Sequence, residues 1–132
     1  MAEEIISKHD LAEVLLVNED DLVTEGHRSN IFFVENDTLV TSFEELVLPG
    51  ITRDKIKHLA TDNDIPFLER NIKAAELAGF DASFLSSTSK NVLPVRRIDN
   101  INYSAANPIT TKLAVLFDQM VEDHLKKFNW NK

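Results

Sequence analysis

The sequence predicts an α+β domain of mostly antiparallel strands, with helices packed on them and a long helix at the carboxy terminus. Three observations carry that prediction. Short apolar runs alternate with polar turn residues as far as Ser42, the pattern of consecutive paired strands. After Leu48-Pro49-Gly50 the apolar spacing changes to that of a helix. Near the end, Ile109, Leu113, Leu116, Phe117, Met120 and Val121 line one helical face.

Each element follows from its residues. Residues 2–10 have helical composition but are too few to stand alone, so they read as the tail of a helix. Glu13-Val14-Leu15-Leu16-Val17 reads as a short buried strand. Asn18-Glu19-Asp20-Asp21 supplies turn chemistry, and Leu22-Val23-Thr24 returns as the second arm of a hairpin. Residues 30–34 form the next strand. Glu35-Asn36-Asp37 turns it and Thr38-Leu39-Val40-Thr41-Ser42 pairs back, making four consecutive antiparallel strands. Residues 52–63 form a helix with Ile56, Leu59 and Ala60 on one face. Ile65-Pro66-Phe67-Leu68-Glu69-Arg70 is a short strand whose early proline suits a sheet edge. Residues 72–78 form a short helix ended by Gly79 as its C′ residue. Ala82 to Ser86 and Val92 to Ile98 are strands flanking the polar loop Ser87-Thr88-Ser89-Lys90-Asn91. Asn107 can cap the last helix, with Pro108 at its first position.

A chain of 132 residues suits one domain, and 43% hydrophobic with 27% charged residues is ordinary for a soluble protein. The net charge of −8, from 22 acidic and 14 basic residues, argues against a nucleic-acid surface. The absence of cysteine excludes disulfides, thiolate metal sites and cysteine nucleophiles. Met1-Ala2-Glu3-Glu4-Ile5-Ile6-Ser7-Lys8 lacks the features of a signal peptide, and no apolar run reaches membrane-spanning length. A cytoplasmic location is expected. His9, His58 and His124 have no ligand spacing, and the acidic turn at Glu19-Asp20-Asp21 lacks a calcium-loop pattern, so no metal is expected.

Three stretches carry candidate chemistry. Thr24-Glu25-Gly26-His27-Arg28-Ser29-Asn30 puts a carboxylate, a glycine and polar side chains directly before the apolar run Ile31-Phe32-Phe33. A buried strand rarely opens with so many hydrogen-bonding groups unless something polar lies against them. Gly50-Ile51-Thr52 opens a helix, whose first N–H groups and dipole favour an anion; a cap facing only water is the plainer alternative. Ser86-Ser87-Thr88-Ser89 offers four hydroxyls that can hold a phosphate or carboxylate, or can simply form a polar hairpin loop.

Taken together, in this order and spacing, these stretches resemble the class IV aminotransferases. The residues concerned are Glu13-Val14-Leu15-Leu16-Val17, Val23 through Phe32, Leu48-Pro49-Gly50-Ile51-Thr52-Arg53, and Phe84-Leu85-Ser86-Ser87-Thr88 with Val92-Leu93-Pro94-Val95. That family uses pyridoxal 5'-phosphate and includes branched-chain and D-amino-acid aminotransferases and aminodeoxychorismate lyase. The resemblance implies the large carboxy-terminal domain of the fold-type IV enzymes. Within it, Glu25 would bond the pyridine nitrogen. Gly50, Ile51 and Thr52 would bind the phosphate at the helix start, with Thr88 as a second phosphate hydroxyl. Ser29 and Asn30 would position the ring. The Thr88-Ser89 backbone would hold the substrate carboxylate. Arg28 is a candidate for an acidic substrate group, with a surface salt bridge as the alternative.

The same resemblance implies a departure. The family's Schiff-base lysine lies farther upstream of the glutamate than the 24 residues before Glu25, and neither Lys8 nor Lys90 matches it. Residues 1–132 are therefore expected to form a single partial carboxy-terminal domain, truncated at its amino terminus. The small amino-terminal domain and the lysine segment would be absent, leaving no catalytic residue in the chain. The function implied is amino-group exchange between an amino acid and a 2-oxo acid, in a homodimer, with this portion inactive alone. A lyase of the same family and a non-catalytic structural fragment are the alternatives.

Overall fold

The computed structural model describes residues 15–26, 29–43, 51–87, 91–104 and 106–128. The expected helix tail at residues 2–10, the Pro49-Gly50 turn and the loop at residues 88–90 lie outside them.

The frame is set by one tight hairpin. Strand β3 (Asn30–Glu35) and β4 (Thr38–Thr41) are joined by Asn36 and Asp37, both left-handed, with φ of 50° and 60°. Two consecutive left-handed residues make the turn whose twist matches paired strands, and Asn and Asp tolerate it best among residues with a side chain. The Asp81 carboxylate accepts the Asn36 N–H at 2.9 Å and pins the turn to the chain entering β6 (Ala82–Ser87). The main sheet runs β5 (Phe67–Glu69), β4, β3, β6, β7 (Asn91–Pro94). All its pairings are antiparallel except β4 with β5. That parallel pair needs a crossover, which helix α1 (Ile51–Asp62) supplies. The expected edge position of this strand is found, with the Pro66 carbonyl accepting from Leu39 N–H at 2.8 Å.

Paired residues share a face, so the register sorts the core. Phe32, Val34, Leu39, Phe84 and Val92 pack with Ile56 and Ala60 of α1 and with Leu113 and Phe117 of α2 (Pro108–Phe128). Ile31, Phe33, Val40 and Leu85 face Ile72, Leu77, Phe80 and Tyr103 on the other side. Because both faces are covered, residues 31–34 are all buried, which explains an unbroken apolar run where alternation would mark a one-sided strand. Helix α2 begins as its sequence predicts: Asn107 Oδ1 accepts from the N–H groups of Ile109 (3.0 Å) and Thr110 (3.3 Å).

Four expectations are corrected. The four consecutive antiparallel strands divide between two sheets, because among the described residues β1 (Leu15–Val17) and β2 (Val23–Gly26) form a two-stranded sheet of their own. The free side of β2 is taken instead by the segment before the short helix: Val23 N–H donates to Ile72 C=O at 2.7 Å, and Leu22 bridges to Lys73. The strand expected over 92–98 stops at Pro94. Residues 97–102 fold into a separate hairpin of β8 (Arg97–Ile98) and β9 (Ile101–Asn102), reversed at Asp99 with φ of 51°. Tyr103 then buries its ring and donates to Leu77 C=O, and desolvation pushes its hydroxyl up to about 12.

The short helix over 72–78 is a 3-10 turn, Ala74–Gly79. Glu76 accepts the Lys73 N–H at 2.8 Å, and this bond, helped by Arg70, holds its carboxyl below the usual range. Gly79 does not take the left-handed C′ role, since no described glycine has positive φ. Phe80 leaves the turn in an extended conformation and stacks on Phe33, with ring centroids 4.5 Å apart. A Cβ at Gly79 would meet no atom within 4 Å. Gly79→Ala is therefore expected to raise stability by about 0.4–1 kcal/mol through the unfolded chain, read as a higher thermal midpoint. A lower midpoint would show that the turn needs glycine.

The fourth correction concerns the serine run. The strand end expected at Ser86 is found, but Ser87 and Asn91 are not loop residues: β6 runs on through Ser87, which pairs with Asn91 of β7.

Candidate functional site

One end of the main sheet gathers the predicted residues. Strands β3 and β7 begin there and β4 and β6 end there, as antiparallel neighbours must. Asn30 opens β3 directly opposite Ser86 of β6. Alternation from Phe32 and Phe84 places both on the face that carries α1 and α2. Ser86 is fully buried, and its Oγ and that of Thr110 are the buried side-chain oxygens without a hydrogen-bond partner among the described residues. An unpaired buried hydroxyl costs about 1–3 kcal/mol, so it asks for an explanation. Ser29, just before β3, is buried.

The start of α1 reaches the same end. Arg53 Nη1 donates to Thr41 Oγ1 at 3.1 Å, and Nη2 donates to Ser42 C=O at 2.8 Å, fixing the first turn against the end of β4. Thr52 is buried in that turn. The first N–H groups of any α-helix lack intrahelical partners, so Ile51 and Thr52 open an element with donors and a positive dipole end. Strand β2, which carries Glu25 and Gly26, is tied to the same region by the Ser42 hydroxyl, which donates to Val23 C=O. The structure thus brings Ser29, Asn30, Ile51, Thr52 and the strand of Glu25 to one place. Arg28, Gly50, Thr88 and Ser89 lie outside the described residues.

Two groups escaped the sequence reading. Ser86 stands in the hydroxyl run at the end of an expected strand, but its burial opposite Asn30 depends on the β3–β6 register. In the sequence Arg53 is only the last residue of the Leu48-Pro49-Gly50-Ile51-Thr52-Arg53 motif. Glu69, which accepts from its Nη2 at 2.6 Å, lies 16 residues away, beyond any helical or strand periodicity. The chemistry available is that of a site with anion-binding donors at one end and amide, hydroxyl and carboxylate-bearing strands beside it.

The described geometry is a mixed sheet with a helix start and a polar strand lip at one end, and the class comes from the sequence match. Residues 1–98 match the model of the family described as amino-transferase class IV, and the chain belongs to that family. A "probable branched-chain-amino-acid aminotransferase" of Synechocystis is 38% identical over 117 residues, covering 88% of this chain and 38% of that protein. The D-alanine aminotransferase of Staphylococcus epidermidis is 33% identical over 127 residues, covering 94% of this chain and 45% of that protein. The branched-chain amino acid aminotransferase of Thermobaculum terrenum, solved in its PLP form, superimposes with a TM-score of 0.84 at 29% identity. That match covers 91% of this chain and 40% of the other. The chain spans less than half the length of these relatives.

Proposed function

We propose that this chain is the pyridoxal-phosphate-binding, carboxy-terminal portion of an aminotransferase that exchanges an amino group between an amino acid and a 2-oxo acid. The observation that supports this most is the meeting, at one sheet end, of the first turn of α1, where Thr52 and Arg53 are buried, with the Asn30–Ser86 pair and the strand of Glu25. The residues fit the cofactor. A phosphate suits the donors of a helix start, and a polar ligand lying against the Asn30–Ser86 pair would give the buried Ser86 Oγ a partner.

When bound, the cofactor supplies an electron-accepting ring for breaking a bond at the amino acid's Cα. The chain's own residues bind, orient and hold a proton. The first N–H groups of α1 and the Thr52 hydroxyl hold the phosphate, with Gly50 letting the backbone approach and Thr88 adding a second hydroxyl. Glu25, ionised, holds a proton on the ring nitrogen. Ser29 and Asn30 orient the ring. The Thr88-Ser89 backbone receives the substrate carboxylate, and Arg28 is the candidate for an acidic substrate group. We further propose that the covalent lysine comes from residues other than these 132, and that the working enzyme is a cytoplasmic homodimer. Among the described residues no helix is long and apolar enough to cross a membrane.

The 132 residues alone are expected to show no glutamate formation from an amino acid and 2-oxoglutarate with added pyridoxal 5'-phosphate. They are nonetheless expected to bind that compound, with amide shifts at residues 51–53. Turnover abolished by Lys90→Ala would overturn the first expectation. A titration that leaves residues 51–53 unmoved would overturn the cofactor assignment.

A further inference from the structure

We propose that Arg53 is a positioning residue that sets the helix start of α1 in register with the two strands at the other end of the candidate site; this rests on the cofactor reading above. A buried arginine in the first turn of a helix is electrostatically unfavourable, because the dipole there is already positive. Arg53 is nonetheless 4% exposed. Its compensation is a set of three acceptors: Thr41 Oγ1 at 3.1 Å, Ser42 C=O at 2.8 Å and Glu69 Oε2 at 2.6 Å.

Two of those acceptors pass the connection on. Thr41 Oγ1 in turn donates to Ile31 C=O at 2.8 Å, one residue beyond Asn30. Ser42, whose carbonyl Arg53 holds, donates its hydroxyl to Val23 C=O, two residues before Glu25. A single guanidinium therefore joins the first turn of α1, which holds Thr52, to both β3 and β2. A strut needed only for packing could end on any acceptor. Here both branches end on the backbone of the strands that carry Asn30 and Glu25. The planar fork of arginine is suited to this, since it fixes angles as well as distances, whereas a lysine is a point donor on a flexible stem.

The test uses the 132-residue chain with inorganic phosphate and pyridoxal 5'-phosphate as probes, read by amide chemical shifts, in wild type, Arg53→Lys, Arg53→Met and Glu69→Gln. Glu69→Gln guards against a variant that fails to fold, since Glu69 is partly exposed and lies outside the helix. Expected in ligand-free Arg53→Lys and Glu69→Gln is displacement of the amides of both 51–53 and 22–24. Phosphate affinity should fall about five- to tenfold, a usual size for coupling between sites. Arg53→Lys should recover stability relative to Arg53→Met without recovering affinity, which a purely structural role would not produce. Unchanged affinity in folded variants, or displacement confined to 51–53, overturns the proposal. If neither probe moves residues 51–53 of the wild type, the cofactor reading falls. Arg53 is then judged by the ligand-free spectra: joint displacement of the two segments supports the coupling, and its absence overturns it.

Discussion

Phe84→Ala is expected to lower stability by roughly 3–5 kcal/mol, the usual cost of removing a buried aromatic side chain from a core. Phe84 is fully buried on β6, next to the central strand, and stacks on Phe32 with ring centroids 4.9 Å apart and planes 13° apart. The pair sits where the sheet meets α1 and α2, so its loss opens a cavity against both helices. Single domains have only about 5–15 kcal/mol in hand, so much of the fold's margin would go. Urea denaturation checks this as a lower midpoint at unchanged slope. Phe84→Leu, which refills most of the volume, should cost clearly less. A loss below about 1 kcal/mol for Phe84→Ala would mean that the site collapses freely and that the stack is not a fixed part of the core.

Arg53→Met is expected to cost roughly 2–4 kcal/mol, below the upper range for breaking a buried pair because Glu69 keeps some water contact. The side chains of Arg53 and Glu69 are 5% and 23% exposed. Methionine fills the volume but strands three acceptors. Lys57, 3.2 Å from the other Glu69 oxygen, is itself half exposed and can compensate only part of the charge. Adding Glu69→Gln to Arg53→Met should recover part of the loss, since the stranded charge is then gone. A double-mutant cycle by chemical denaturation measures the coupling, and additive losses would show that the pair contributes nothing beyond packing.

What could be read in advance follows the range of the interactions. Asn36-Asp37 announced its hairpin because a left-handed turn is a property of two residues. Asn107-Pro108 announced α2 because a cap acts on the first turn beside it. Phe80 shows the opposite case: a helix end looked ready at Gly79, but stacking on Phe33 in the other half of the fold pulled the chain out in extended form. Arg97 and Ile98 read as the end of a strand in sequence, yet they open a separate hairpin that leads to Tyr103, which is buried and bonds Leu77. In the site, Thr52 was visible as a helix start and Asn30 as the lip of a strand. Ser86 was one of four candidate hydroxyls in the sequence, and only the β3–β6 register set it opposite Asn30.

The sequence by itself determined the class of fold, the place of α1 and α2, the apolar strands and the membership of residues 1–98 in the class IV aminotransferases. Those are set by local propensity, periodicity and motif order, which act over a few residues at a time. Only the tertiary structure decided that β2 leaves the main sheet, that Ser86 is a buried hydroxyl without a partner among the described residues, and that Arg53 ties the first turn of α1 to the end of β4. Each of these depends on hydrogen bonds between residues far apart in the chain, and such bonds form only after the sheet has set its register.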